Sequence, residues 1–194
     1  MKLGPSSTLG DVAACVSKAL SGAGIRCVLT GGACATLYSG GKYQSADVDF
    51  ILQSAVSVER LDEVMKRAGF ERRGNQYVHS KSPLYVEFPR GPLAIGNDIR
   101  IEPIEYAIRR TRLLALSPTD SCRDRLAAFY HWSDRQSFEV AVEIARRHRI
   151  HLKQIERWSE TEGFAAHFRE FAAEVERARR ARRRRRSRPE SLGG

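Results

Sequence analysis

Three carboxylates and two glycines are the residues of this chain whose types and spacing could do chemistry. A run of β-favouring residues, Ile25 to Thr30, ends abruptly at Gly31-Gly32. Fourteen residues separate Gly32 from Asp47, where Asp47-Val48-Asp49 opens a second such run. Glu87 sits inside a third, between Val86 and Phe88. Side chains alternate along a strand, so Asp47 and Asp49 point to one face while Val48 and Phe50 take the other. Glu87 opposes its own apolar neighbours in the same way. If the third strand lies beside the second, all three carboxylates converge. Packed together they repel unless a cation joins them. An all-oxygen ligand set favours Mg²⁺ or Mn²⁺, which also bind phosphates. A pair of such ions can stabilise the attacking and the leaving oxygen of phosphoryl or nucleotidyl transfer. Glycines at a strand-to-helix turn let backbone N–H groups approach a phosphate, and the helix N-terminus adds partial positive charge.

The elements that must position these groups can be read from periodicity. Thr8 to Leu20 is an amphipathic helix with Thr8 as N-cap and Gly22/Gly24 as its stop. Ala33 to Tyr38 reads as a short helix after the glycine pair, and Val48 to Leu52 as the second strand. Ser57 to Ala68 is a second amphipathic helix, with Val58, Leu61, Val64 and Met65 on its inner face. Phe70 to His79 reads as a hairpin around Gly74-Asn75, and Leu84 to Phe88 as the strand that carries Glu87. Ile99 to Glu102 and Thr111 to Leu116 supply two more short strands. From Ser117 the pattern becomes helical: Ser117 to Trp132, a helix begun by Ser133, Leu152 to Trp158, and Phe164 to Arg180. The expected class is therefore α/β (α+β). It comprises an α/β unit over 1–116, a helical region over 117–173 and an arginine-rich tail, helical to disordered, over 174–194.

Composition bounds the rest. With 194 residues, 42% hydrophobic and 29% charged, the chain is long enough to bury a core and is neither disordered throughout nor a disulfide scaffold. No apolar stretch approaches a membrane span, and the first residues lack a secretory apolar run. Cys15, Cys27, Cys34 and Cys122 form no C-x-x-C pair, so they read as reduced core thiols of a cytoplasmic protein rather than zinc ligands. The net charge of +10 is uneven: residues 171–194 hold 9 Arg against 3 Glu. The five consecutive arginines Arg182, Arg183, Arg184, Arg185 and Arg186 suit nucleic-acid phosphates, or act only as a solubilising arm. They read no bases. Tyr130-His131-Trp132 reads as an interior helix contact, and His148 and His151 as part of a solvated basic turn.

Leu29-Thr30-Gly31-Gly32, Ser45-Ala46-Asp47-Val48-Asp49-Phe50 and Val86-Glu87-Phe88 together resemble the motifs of the nucleotidyltransferase superfamily of DNA polymerase beta. The branch most like it is the minimal members of abortive-infection and toxin–antitoxin systems. Gly31-Gly32-Ala33, Lys42 and Ser45 stand in that branch's places, with a slightly longer gap. Ser117-Pro118-Thr119-Asp120, Arg125-Leu126-Ala127-Ala128 and Ser133-Asp134-Arg135 are similar to its helical section. The match covers roughly residues 10–150.

The resemblance implies a nucleotidyltransferase fold, a mixed β-sheet core flanked by helices and followed by a helical region, and an NTP-dependent, pyrophosphate-releasing enzyme. Asp47, Asp49 and Glu87 would be its catalytic and metal-binding carboxylates, for Mg²⁺ or Mn²⁺. Glu87 would assist deprotonation of the attacking hydroxyl. Gly31, Gly32, Lys42, Ser45 and Arg125 would face the nucleotide. The acceptor stays open among an RNA 3′ end such as tRNA, a protein side chain and a small molecule such as an aminoglycoside, the toxin likeness favouring the first two. A cognate antitoxin is the partner that such a toxin implies. The alternative is a non-catalytic nucleotide- or nucleic-acid-binding module, such as an antitoxin or regulator.

Overall fold

The computed structural model describes residues 3–186, with side chains to residue 181. Among the described residues seven strands form one mixed sheet. They are β1 (Cys27–Leu29), β2 (Asp47–Leu52), β3 (Phe70–Arg73), β4 (Gln76–His79), β5 (Tyr85–Glu87), β6 (Ile104–Ile108) and β7 (Thr111–Ala115). Their order across the sheet is β3-β4-β5-β2-β1-β7-β6. The pairings β2–β5 and β1–β7 are parallel, and β1–β2, β3–β4, β4–β5 and β6–β7 antiparallel. The helices of the described residues are α1 (Leu9–Gly22), α2 (Gly31–Ser39), α3 (Val58–Arg67), α4 (Pro118–Trp132), α5 (Arg135–Arg147), α6 (Leu152–Thr161) and α7 (Ala165–Arg186).

The caps explain where these helices begin. Thr8 and Asp11 form a reciprocal capping box at α1. Ser57 caps α3, Ser117 caps α4 ahead of Pro118, and Asp134 caps α5. Helix α1 packs on α3 and across β1, β2, β6 and β7, while α2 packs on β2, α4 and α5. The buried cluster runs without a break from Leu3 to Val175, so the core is continuous across residues 116 and 117. All four cysteines are unbridged, and three of them are buried. Among the described residues no helix is long and apolar enough to cross a membrane.

Four local expectations change. Residues 99–102 are not a strand; the edge strand is β6, starting at Ile104. The Arg109-Arg110 turn sets the β6–β7 register so that pairing ends at Ile104 opposite Ala115, leaving nothing for 99–102 to pair with. Ile99 is 68% exposed while Ile101 is buried, so the two do not share a face role. Ser133 ends α4 in a left-handed conformation instead of starting the next helix, whose cap is Asp134. In the Tyr130-His131-Trp132 run only Tyr130 is interior, stacked on Trp158 and Phe164, whereas Trp132 is 77% exposed. His148 is half-buried rather than free in solvent: its Nε2 lies 2.9 Å from the Tyr38 carbonyl and its ring meets that of Tyr38 edge-on.

Candidate active site

The sheet order puts β5 directly beside β2, so the condition for convergence is met. Asp47 pairs in register with Tyr85 and Asp49 with Glu87. Partners in register share a face, so the three carboxylates rise from the sheet together. One oxygen of each of Asp47, Asp49 and Glu87 lies within 4.8 Å of the other two. All three residues are half-buried. The opposite face of the same strands carries Val48, Phe50 and Val86, each fully buried.

The two neutral donors that reach the cluster orient it without cancelling its charge. The Ser45 hydroxyl donates to Asp47 Oδ1, and the Gln76 amide donates to Glu87 Oε1 at 2.9 Å. Gln76 stands opposite Glu87 in the β4–β5 ladder, so β4 extends the site by one strand. The Asp49 carboxyl is pushed up to about 7, first by burial and then by the neighbouring charges of Asp47 and Glu87. The Tyr85 phenol is pushed up as well, by burial and by the same three carboxylates. Negative charge held close and oriented by neutral groups fits a hard divalent cation. Asp47, Asp49 and Glu87 are the residues that could hold it.

The glycine pair abuts this cluster. Thr30 N–H donates to the Asp49 carbonyl at 3.0 Å, which extends the β1–β2 ladder up to the start of α2. Gly31 then adopts φ +60°, and a Cβ there would run into the Asp49 carboxylate. At Gly32 a Cβ would lie 2.5 Å from Ser45 Oγ and 3.0 Å from the Tyr43 hydroxyl. Thr30 caps α2 without a side-chain hydrogen bond, leaving the first-turn N–H groups for an anion. Thr30, Gly31 and Asp49 line a cavity of about 230 Å³ with Ile51, Pro89, Pro92, Leu93, Ala94, Leu116 and Asp124. Larger hollows lie elsewhere, including one of about 870 Å³ along α1, so size alone does not single out the carboxylates.

The remaining candidates divide. Arg125 lies near enough to lower Asp49 electrostatically, though its guanidinium is bonded to Asp124 at 2.7 and 3.0 Å and reaches Ser137 Oγ at 3.4 Å. Ser45 touches Asp47. Lys42 pairs with Glu143 on α5 at 3.6 Å. The side chains of Arg182, Arg183, Arg184, Arg185 and Arg186 lie outside the described residues. Asp120 serves the fold: it accepts from Ser117 Oγ at 2.6 Å and pairs with Arg123 at 2.9 Å. The sequence reading missed Gln76 and Asp124. Gln76 becomes visible only through its register with Glu87, whereas Asp124 is adjacent to Arg125 and could have been considered with it.

Glu143 gives this neighbourhood a pH signature. Burial would raise its carboxyl, but hydrogen bonds from Arg146 and Arg147 and the charges of Arg146 and Lys42 outweigh burial and hold it at about 2. A folded value below the unfolded one stabilises the fold above pH 4.5, and that stability is lost as pH falls toward 2. Glu143→Gln should therefore cost about 2 kcal/mol at pH 7, after discounting for screening, and nothing near pH 2. Thermal melts of both proteins across that window check it; a difference independent of pH would refute the pairing.

No known family profile matches the chain, and no curated protein matches it. Solved structures do. An antigenic nucleotidyltransferase-like protein from Paracoccidioides brasiliensis superposes with a TM-score of 0.53 at 16% identity, over 73% of this chain and 77% of that one. A looser likeness, with a TM-score of 0.46 and 13% identity, links 89% of the chain to 90% of the antibiotic-resistance factor ANT(2'')-Ia. The seven-stranded mixed sheet with its flanking helices has the architecture of the first of these, and the chain has a nucleotidyltransferase-like fold.

Proposed function

We propose that the protein transfers a nucleoside monophosphate from a nucleoside triphosphate to an acceptor hydroxyl and releases pyrophosphate. The observation that carries this reading is the close set of Asp47, Asp49 and Glu87, raised by adjacent strands beside Gly31 and the start of α2. Asp47, Asp49 and Glu87 would bind Mg²⁺ or Mn²⁺, which when bound would neutralise charge on the triphosphate and on the attacking oxygen. The N–H groups at Gly31 and Gly32 receive phosphate oxygens, and the α2 terminus favours their charge. Glu87 has one oxygen held by Gln76, which leaves the other to accept the proton of the acceptor hydroxyl. Arg125, released from Asp124, would meet the triphosphate.

Within this reading the acceptor is a cellular RNA 3′ end, tRNA first, or a protein side chain, and the arginine run recruits RNA. A toxin role with a cognate antitoxin follows from the motif likeness alone. The test is incubation of the protein with each α-labelled nucleoside triphosphate, Mg²⁺ or Mn²⁺, and total cellular RNA or protein. Label in one fraction, absent with the Asp47→Ala/Asp49→Ala double variant, is the expected result and names the acceptor class. Nucleotide binding without label in any fraction would favour a non-catalytic binding module instead.

A further inference from the structure

Sixteen residues, 88–103, separate β5 from β6. They follow Glu87 directly. A connection of that length without strand or helix is uncommon inside a compact domain unless it serves function. Its first part, Pro89 and Pro92 to Ala94, forms the wall of the cavity that faces Gly31 and Asp49. Its tip is a tight turn closed by reciprocal backbone hydrogen bonds between Ile95 and Asp98, at 3.0 and 3.2 Å.

That tip is gripped by the helical half of the molecule. Glu162, at the end of α6, accepts from the Asn97 backbone N–H at 2.8 Å and from its side-chain amide at 3.0 Å. The Trp158 indole N–H donates to the Ile95 carbonyl at 3.2 Å. Arg123, only 1% exposed, pairs with Asp98 at 2.6 Å and sits over the Trp158 ring. Gly96 has φ +58°, and its Cα backs onto Glu162, where a Cβ would meet Oε1 at 2.6 Å. Arg123 on α4, Trp158 on α6 and Glu162 just past the end of α6 thus hold Ile95, Asn97 and Asp98.

We propose that the 88–103 segment is a wall of the nucleotide pocket held in place by this clasp, and that the clasp, through Glu162 above all, sets how tightly the nucleoside triphosphate is held. The inference rests on the nucleotidyl-transfer reading. Freed of the clasp, a long segment without a ladder of its own would sample many conformations, and apparent affinity scales with the fraction that is binding-competent. Glu162, Trp158 and Arg123 raise that fraction without touching the reacting atoms. They are positioning residues. The carboxylates stand on strands, so releasing the loop leaves the chemical step in place.

Trp158 also reports on the clasp. The chain has two tryptophans, and Trp132→Phe removes the exposed one. In that background, Trp158 emission is followed while each of the four ribonucleoside triphosphates is added with Mg²⁺, and binding is measured independently by calorimetry. Saturable change in emission is expected. In steady-state assays Glu162→Ala should raise KM about 10-fold and alter kcat less than about 2-fold, the loss of hydrogen bonds to a charged group. Glu162→Gln keeps an acceptor oxygen for Asn97 and should recover most of the loss. Gly96→Ala should reproduce the defect from the opposite side, and melts of each variant verify folding. The proposal is overturned if Glu162→Ala and Gly96→Ala leave KM unchanged. It is also overturned if calorimetry shows nucleotide bound while Trp158 emission stays constant. Absence of binding heat with every nucleotide would overturn the transfer reading, and this inference with it.

Discussion

Asp49→Asn is expected to abolish nucleotidyl transfer and, at the same time, to raise the melting temperature of the metal-free protein. Both effects come from one carboxylate. Asp49 is half-buried, faces Glu87 across the β2–β5 pair and shares its face with Asp47. Burial and those two charges hold its carboxyl at about 7 rather than in the usual carboxylate range. A folded value above the unfolded one means that ionisation opposes folding, so stability from this group falls as pH rises from about 4 to 7 and the penalty is complete above that. Asparagine removes the charge at nearly constant shape. The gain at pH 8 should be about 1–2 kcal/mol once partial exposure is allowed for, or a few degrees in a chain of this size. Transfer should fall by about 10³-fold or more, the order that loss of a preorganised electrostatic group produces. Added Mg²⁺ should stabilise the parent protein and not the variant. A variant that melts lower than its parent without metal would contradict this account of the site, as would one that retains full activity.

Gly31→Ala should be nearly as damaging to transfer, and for a different reason. The residue needs a left-handed backbone, which costs an L-residue about 1–2 kcal/mol. Its Cα also backs onto the Asp49 carboxylate, which a Cβ would displace. Gly24 separates the two effects. It has φ +74°, and a Cβ there would meet nothing within 4 Å. Gly24→Ala should therefore lose about 1–2 kcal/mol of stability and keep its activity. Gly31→Ala should lose comparable stability and about 10²-fold or more in kcat/KM, because small misplacement of a catalytic group is costly. Equal kinetic losses in the two variants would show that backbone strain, not the contact with Asp49, is what Gly31 avoids.

Much of the framework was legible because local chemistry decides it. Thr8 announces a helix start as a cap, Ser57 and Ser117 open the next helical patterns, and in the fold all three cap helices. Gly74-Asn75 announces the β3–β4 hairpin, which forms there. Asp47 and Asp49 share a face by strand periodicity alone. Pairing is not local. Ile99 to Glu102 has the composition of a strand, but it lies past the end of β7, where no partner waits. Lys42 sits in a loop whose path periodicity does not describe, and its ammonium pairs with Glu143, a hundred residues on. Arg123 reads as one more basic helix residue, yet it is fully buried because Asp98 and Asp120 arrive from two directions to neutralise it.

By itself the sequence determined which residues could do the chemistry, since residue type, alternation and glycine placement are properties of neighbours along the chain. It determined that Asp47 and Asp49 face together and that a helix starts at the glycine pair. Only the tertiary structure decided that β5 lies beside β2, bringing Glu87 opposite Asp49 and Gln76 opposite Glu87. Only it decided that the 88–103 segment is held by α4 and α6. Strand order and loop docking depend on which distant surfaces bury one another, and the free energy of that choice is spread over the whole core rather than written in any one segment.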